Sequence, residues 1–255
     1  MTQTPHLNYD NIASEYNQRY ASSPLPERAN ALIHLIQKVN PRCILEVGCG
    51  TGFWLNAFGP KVDVAYGLDY SLGMLAQAQR RSFPLILLRG DAIHLPYQDN
   101  FFDLLYCVDA IHHFGKPGLF ISEAFRVLRP GGVLAVVGSD PHSGDDIWYV
   151  YEYFEGVLEV DLQRFPSESA ILAWMREEGF QNISSKDVEH ISDVHFGADV
   201  FNDSFLKKNS CLQLALLSDE AYQAGLEKIK AAVAQGEQVI FRNELFIKMF
   251  TGFKP

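Results

Sequence analysis

Three glycines at alternating positions, Gly48, Gly50 and Gly52, stand between an apolar run from Cys43 to Val47 and a second apolar stretch, Phe53 to Phe58. Glycine has no β-carbon and tolerates positive φ, so a turn built this way lets main chain lie against a ligand. Strand, glycine turn and helix in this order also aim a helix N-terminus at that ligand. The spacing is Gly-x-Gly-x-Gly rather than the dinucleotide Gly-x-Gly-x-x-Gly, and no Lys-Ser or Lys-Thr pair follows, which excludes a P-loop. Two carboxylates frame the turn. Glu46 lies at the end of the first strand, and Asp69 closes the second, Val62 to Asp69, about twenty residues beyond Gly48. A carboxylate at that place can accept from both hydroxyls of a ribose. The pair His112-His113 follows the apolar run that ends in Val108. An imidazole titrates near neutrality and can take a proton from a hydroxyl or phenol; the alternative is a histidine that ties down its own loop.

The elements that must position these groups follow from periodicity. Ile12, Ala13, Tyr16 and Tyr20 share one face of a short helix between Tyr9 and Tyr20, which either packs on the body or forms a lid carrying Tyr16 and Arg19 over a ligand. Ser22 to Pro26 reads as a linker, and Glu27 to Val39 as a helix. Ser71 is a predicted N-cap for a helix from Leu72 to Arg81, and a short strand covers Leu85 to Leu88. Asn100 to Val108 is the fourth strand, and ligands of open α/β sheets bind beyond such carboxyl ends. Leu119 to Leu128 is a helix, Arg129 to Gly132 a tight turn, and Val133 to Val137 the fifth strand. Ile147 to Val160 is aromatic and acidic, either an ordinary packed helix or the lining of a pocket. Ser167 and Gly179 bracket a helix, after which Phe180 to Glu189 is the sixth strand. A helix capped by Ser218 runs Asp219 to Ala234, Arg242 to Phe250 is the last strand, and Gly252 to Pro255 a short tail.

With these residues in place, the chain resembles the class I S-adenosylmethionine-dependent methyltransferases, in particular small-molecule enzymes of the type 11-like group. Leu45-Glu46-Val47-Gly48-Cys49-Gly50-Thr51-Gly52 matches the family's first motif. Gly90-Asp91-Ala92 with Leu95-Pro96, the run Asp99-Asn100-Phe101-Phe102-Asp103, and Leu128-Arg129-Pro130-Gly131-Gly132 match further family segments. The N-terminal Tyr9-Asp10…Ala13…Tyr16…Arg19 is similar to a segment whose Tyr and Arg lie near the cofactor's methionine carboxylate. The resemblance covers residues 9 to 138 and, more loosely, the closing strands. It implies an α/β fold, a doubly wound Rossmann-like seven-stranded sheet with its last strand antiparallel and helical cap insertions. It divides the chain into an N-terminal helical lid (1–40), a cofactor-binding core (41–142), an aromatic helical segment with the sixth strand (143–191), a helical cap (192–236) and the last strand with its tail (237–255).

The same resemblance implies S-adenosyl-L-methionine as cofactor and S-adenosyl-L-homocysteine as product. The residues expected to hold it are Tyr16, Arg19, Glu46, Gly48, Cys49, Gly50, Asp69, Tyr70, Met74, Asp91, Ala92, Ile93 and Val108. His113, with His112 second, is the expected base, and Tyr20, His113, His142, Trp148 and Tyr151 the expected acceptor pocket. The expected reaction is methyl transfer to a small molecule, first of all to oxygen. The Asn/Asp-Pro-Pro-Tyr segment of many amino methyltransferases is absent after Val108. Two rivals are an NAD-dependent oxidoreductase, disfavoured by the glycine spacing, and a protein that binds the cofactor without turnover.

Composition narrows the partners. The 255 residues are 47% hydrophobic and 20% charged, with a formal net charge of −10. That is enough apolar material for a sizeable core. An acidic surface repels nucleic-acid backbones, so no nucleic-acid partner is expected. Four cysteines stand apart in no zinc or iron–sulfur spacing, so no metal is expected. No leader pattern and no apolar run near the ~18 residues of a membrane span is present, so a cytoplasmic monomer or homodimer without membrane partners is expected.

Overall fold

The computed structural model describes residues 9–11, 13, 27–208 and 211–255. Tyr16, Arg19, Tyr20 and the linker from Ser22 to Pro26 lie outside the described residues. In chain order the elements are α1 (Glu27–Val39), β1 (Cys43–Val47), α2 (Phe53–Phe58), β2 (Val64–Asp69), α3 (Leu72–Ala78), β3 (Ile86–Arg89), β4 (Phe102–Val108), α4 (Pro117–Val127) and β5 (Leu128–Ser139). There follow β6 (Ile147–Trp148), α5 (Tyr149–Tyr153), α6 (Val157–Arg164), α7 (Glu168–Glu178), β7 (Gln181–Phe196), α8 (Leu212–Ala215), α9 (Asp219–Val233) and β8 (Ile240–Phe253). The chain divides into a larger compact unit of residues 9–140, 165–189 and 247–255, and a smaller one that includes 141–164 and 190–246.

In the larger unit the strands stand in the order β3-β2-β1-β4-β5-β8, with β7 paired to β8. The first five are parallel, and β8 closes against β5 antiparallel, from Val133↔Phe253 to Ser139↔Ile247. The mostly parallel α/β sheet with its last strand antiparallel is as expected, but β6 also pairs with β8 and makes the sheet eight-stranded rather than seven-stranded. Every residue of β4 is buried, and all of β1 after Cys43, which is why both read as unbroken apolar runs. Leu45, Phe102, Leu105, Phe120 and Leu134 belong to one continuous core. The strand order reverses between β1 and β4, and their carboxyl ends present the glycine turn and residues 109–113.

Several boundaries differ from the sequence reading, each for a local reason. The helix after Ser71 stops at Ala78, not Arg81, and the Arg81 guanidinium instead bonds the Thr51 carbonyl at 2.9 Å. The last strand extends to Phe253 and the final residues are no loose tail: Gly131 N–H donates to Lys254 O, and Lys254 N–H to Gly132 O. The expected turn at Arg129–Gly132 is thereby drawn into paired structure. Beyond Glu189, β7 continues to Phe196, because His190 and Ser192 both bond Glu244 of β8. Residues 192–196 are therefore strand rather than cap.

In the smaller unit, the aromatic stretch is not one helix. It forms β6, paired antiparallel with β8 through Ile147↔Glu244 and Trp148↔Asn243, then α5 and α6. The break between the helices falls at Gly156, whose φ of +82° ends helical geometry. Trp148, Phe154, Val200, Leu214, Ile229 and Phe241 form this unit's own core.

Candidate functional site

At the carboxyl end of β1 the chain turns through three left-handed glycines, with φ of +73°, +51° and +67° at Gly48, Gly50 and Gly52. Gly48 and Cys49 N–H both donate to Leu68 O, at 2.8 and 3.0 Å, which ties the turn to β2. The glycines have different duties. A β-carbon on Gly48 would lie 2.6 Å from the Ala110 β-carbon, and one on Gly52 would lie 3.1 Å from that of Ala78. One on Gly50 would meet no atom of the chain within 4 Å. Gly48 and Gly52 are therefore required by packing, and Gly50 opens onto free space.

Asp69 fixes this open corner. Its Oδ2 accepts from Gly50 N–H at 2.7 Å and its Oδ1 from Ser71 N–H at 2.8 Å. Burial pushes its carboxyl above the ordinary value, against the pull of the Ser71 and Gly50 amides. Glu46 lies deeper, at 1% exposure. Tyr106 O–H donates to its Oε2 at 3.4 Å, and Oε1 has no partner. Burial holds the Glu46 acid well above the usual carboxylate range, and the charge of Asp69 adds to the effect. A carboxyl oriented by main-chain amides beside a glycine with free space suits a ligand that brings hydroxyl donors to the main chain.

Around this corner, Tyr70 is 72% exposed, and the Arg89 guanidinium stands 5.4 Å from its ring centre while Nε donates to Tyr70 O. Met74 is buried in α3, its N–H donated to Ser71 Oγ at 3.1 Å. Cys49 is buried, and burial raises its thiol well above the ordinary value. Asp91 is exposed, with Oδ1 accepting from Ile93 N–H, while Ala92 and Val108 are buried. The loop after Asp91 is held from α4, because Glu123 accepts from Leu95 N–H and Arg126 donates to Leu95 O and Tyr97 O. Arg126 in turn keeps the Glu123 carboxyl below its usual range. The sequence reading did not single out Glu123 or Arg126; both sit on a helix, and only the fold carries them to the loop.

Beyond β4, Ile111–His113 forms a single 3-10 turn. His113 Nε2 is 2.9 Å from the Tyr9 hydroxyl, and the His112 ring stacks on Phe165 at 4.0 Å between centroids. Tyr9 was not among the expected site residues. Its neighbour Asp10 explains why it is there: Asp10 Oδ1 accepts from Ser71 Oγ at 2.5 Å and Gly73 N–H at 2.7 Å, docking the Tyr9–Asn11 turn at the start of α3. Gly73 makes room, since a β-carbon there would lie 3.0 Å from Asp10 Cα. Arg28 of α1, also unforeseen, donates to Asp109 Oδ2 at 2.6 Å and pairs with Glu189. Asp109 holds φ of +50° at the β4 tip, a conformation rarely adopted outside glycine.

His142, Trp148 and Tyr151 belong to the smaller unit. His142 is exposed in the turn Pro141–Ser143. Trp148 is buried, its ring edge-on to Tyr151 at 5.0 Å, and its indole N–H has no partner. Tyr151 O–H donates to Asp161 Oδ2 at 2.9 Å, burial raises the phenol, and Asp161 Oδ1 is buried without a partner.

Comparison with known proteins agrees with this geometry. Residues 45–136 match the family model described as a methyltransferase domain. A demethylmenaquinone methyltransferase of Lactiplantibacillus plantarum is 28% identical over 195 residues, spanning 66% of this chain and 78% of that protein. A malonyl-[acyl-carrier protein] O-methyltransferase of Yersinia pestis is 27% identical over 135 residues, 53% of this chain and 51% of that one. The solved structure of phosphoethanolamine N-methyltransferase 2 of Haemonchus contortus, in complex with S-adenosyl-L-methionine, superposes with a TM-score of 0.61 at 17% identity, covering 96% of this chain and 57% of that one; that likeness is one of fold.

Proposed function

We propose that the chain is a class I S-adenosylmethionine-dependent methyltransferase that methylates a small organic acceptor, with oxygen the first acceptor atom to test. The observation that carries the cofactor assignment to particular residues is the open face of Gly50 between the Asp69 and Glu46 carboxyls. S-adenosylmethionine, when bound, supplies an electrophilic methyl on a cationic sulfur.

The residues suited to hold it divide by chemistry. Gly50 leaves the main chain approachable. Asp69, already oriented by two amides, keeps lone pairs for ribose hydroxyls. Tyr70 offers an exposed ring, and Asp91 to Ile93 a carboxylate and main-chain amides for a purine edge. For the transfer itself, holding both reactants in line is worth up to about 7–11 kcal/mol, so positioning outweighs any single catalytic group.

One observation supports a protic small-molecule acceptor. His113 shares a hydrogen bond with Tyr9 at the β4 tip, where an imidazole can receive the acceptor's proton. The names of the relatives differ in acceptor, from demethylmenaquinone to a malonyl-[acyl-carrier protein].

The test has two arms. Calorimetric titration with S-adenosylhomocysteine should give saturable binding that Asp69→Asn weakens at least tenfold; unchanged affinity removes Asp69 from the site. Radiolabelled methyl transfer to phenols, carboxylic acids and amines should favour the first two. With the best phenol, His113→Gln should lower kcat by about 10²–10⁴ with cofactor affinity unchanged. A kcat within a factor of two of the parent excludes His113 as the base.

A further inference from the structure

Methyl transfer leaves unused a cluster in the smaller unit. Asp193 and His195 stand two residues apart on β7, so their side chains share one face of the strand. Asp203 reaches the same point from the loop between the 3-10 turns Gly197–Asn202 and Ser204–Leu206. His195 Nε2 is 3.0 Å from Asp193 Oδ2 and 3.4 Å from Asp203 Oδ2, and one donor atom from each residue lies within 4.8 Å of the other two.

The directions matter more than the distances. His195 Nε2 is buried and still makes no hydrogen bond, so neither carboxylate oxygen lies on the line of a ring N–H. A simple imidazolium–carboxylate pair would place an oxygen on that line. Oxygens that flank the nitrogen instead are arranged as neighbouring ligands about a shared cation. With bond lengths of about 2.0–2.2 Å, adjacent ligands of a tetrahedral or octahedral ion stand about 2.8–3.6 Å apart, a range that holds both distances from His195 to its carboxylates.

Further buried polar groups hold Asp203 in this position. Asn243 is 0% exposed, its Nδ2 donates to Asp203 Oδ2 at 3.1 Å, and its carbonyl Oδ1 has no partner. Around the cluster, Tyr149 O–H donates to Asp203 Oδ2 at 2.8 Å and Phe205 N–H to Oδ1 at 2.9 Å, the outer support that orients a ligating carboxylate. The Asp193 side chain is 51% exposed, so part of the coordination sphere would face solvent.

We propose that Asp193, His195 and Asp203 bind a divalent transition-metal ion, with Zn²⁺ the first choice for one imidazole and two carboxylates. The proposal does not depend on the methyl-transfer reading. Its role is to join the start of the 197–206 segment to the β7–β8 pair within the smaller unit.

The experiment uses the full-length, tag-free chain, stripped by a chelator and titrated with Zn²⁺ alone in a calorimeter. One ion per chain is expected, together with a rise in melting temperature by mass action. Asp193→Asn, a change at a half-exposed position, should lower the affinity at least tenfold while circular dichroism is unchanged. Tyr149→Phe, which removes only outer support, should lower it by about tenfold. Substituting Co²⁺ should give the visible absorption of a protein-bound ion, lost in Asp193→Asn. No saturable uptake by the folded chain, or equal uptake by the parent and Asp193→Asn, overturns the proposal in favour of a plain ion-paired histidine.

Discussion

One β-carbon separates the duties of Gly48 and Gly50. Gly48→Ala would drive a methyl into Ala110, 2.6 Å away, so its cost falls on stability, in the range of about 1–3 kcal/mol for overpacking plus the left-handed backbone penalty. Gly50→Ala meets open space, so its cost to stability is limited to about 1–2 kcal/mol for φ, but its methyl projects where the ligand must lie. Thermal melts and S-adenosylhomocysteine titration, run together, should therefore separate the two: melting falls more in Gly48→Ala, affinity more in Gly50→Ala. Equal effects of both variants on both measurements would erase the distinction. Glu46 makes a second prediction. Burial keeps its folded-state acid protonated above the ordinary value of 4.5. The unfolded chain loses that proton near 4.5, so the contribution of Glu46 to stability falls as pH rises beyond it. Glu46→Gln removes that slope, and the variant's melting temperature should gain on the parent's between about pH 5 and about pH 8 in the empty protein. A gap constant with pH would mean that Glu46 keeps its charge on folding. At this scale the sequence was legible as residue types: Glu46, Gly50 and Asp69 were expected at the site, whereas Tyr9 and Arg28 were not, because their partners are 104 and 81 residues away.

Elements in this chain are held in place by polar side chains at their ends. Asp103, buried at the start of β4, accepts from Arg42 and Cys43 N–H at 2.6 and 2.8 Å, and so satisfies the otherwise open start of β1. Lys254 donates through Nζ to Phe125 O and Leu128 O, at 2.8 and 2.7 Å, and closes the carboxyl end of α4. Lys254→Met should leave those carbonyls short of a donor and destabilise the chain by about 1–3 kcal/mol, measured by urea unfolding. A loss under half a kcal/mol would mean that water replaces the ammonium without cost. Caps were the most legible signals. Ser71, Ser167 and Ser218 each accept from the amide three residues on, as their positions before apolar-periodic runs implied. Gly179 at φ +96° ends α7 as expected. Strand ends were less legible, because the lengths of β7 and β8 depend on how far each finds a partner in the other, and 52 to 67 residues separate the paired positions.

Across the whole molecule, the two compact units carry separate chemistry. The glycine turn, Asp69 and the Tyr9–His113 pair lie in the larger, and the Asp193–His195–Asp203 cluster lies in the smaller. Hydrogen exchange should reflect this division. S-adenosylhomocysteine is expected to protect amides of residues 44–53, 66–74 and 90–95, and Zn²⁺ those of 193–206, each without the other. Protection by S-adenosylhomocysteine confined to the smaller unit would relocate the nucleoside site. No helix among the described residues is long and apolar enough to cross a membrane, in line with the expectation from hydropathy.

The sequence alone determined the order of strand, glycine turn and helix and the mostly parallel α/β sheet with its antiparallel last strand. Those features rest on short-range rules: the residues that make a turn, cap a helix or fill a buried strand are neighbours in the chain. Tertiary structure alone decided which glycine faces free space, why Asp10 brings Tyr9 to His113, how Arg28 comes to join Asp109 to Glu189, and that a histidine meets two aspartates in the smaller unit. Such pairings depend on strand order and on where loops close, and chain proximity carries no record of either.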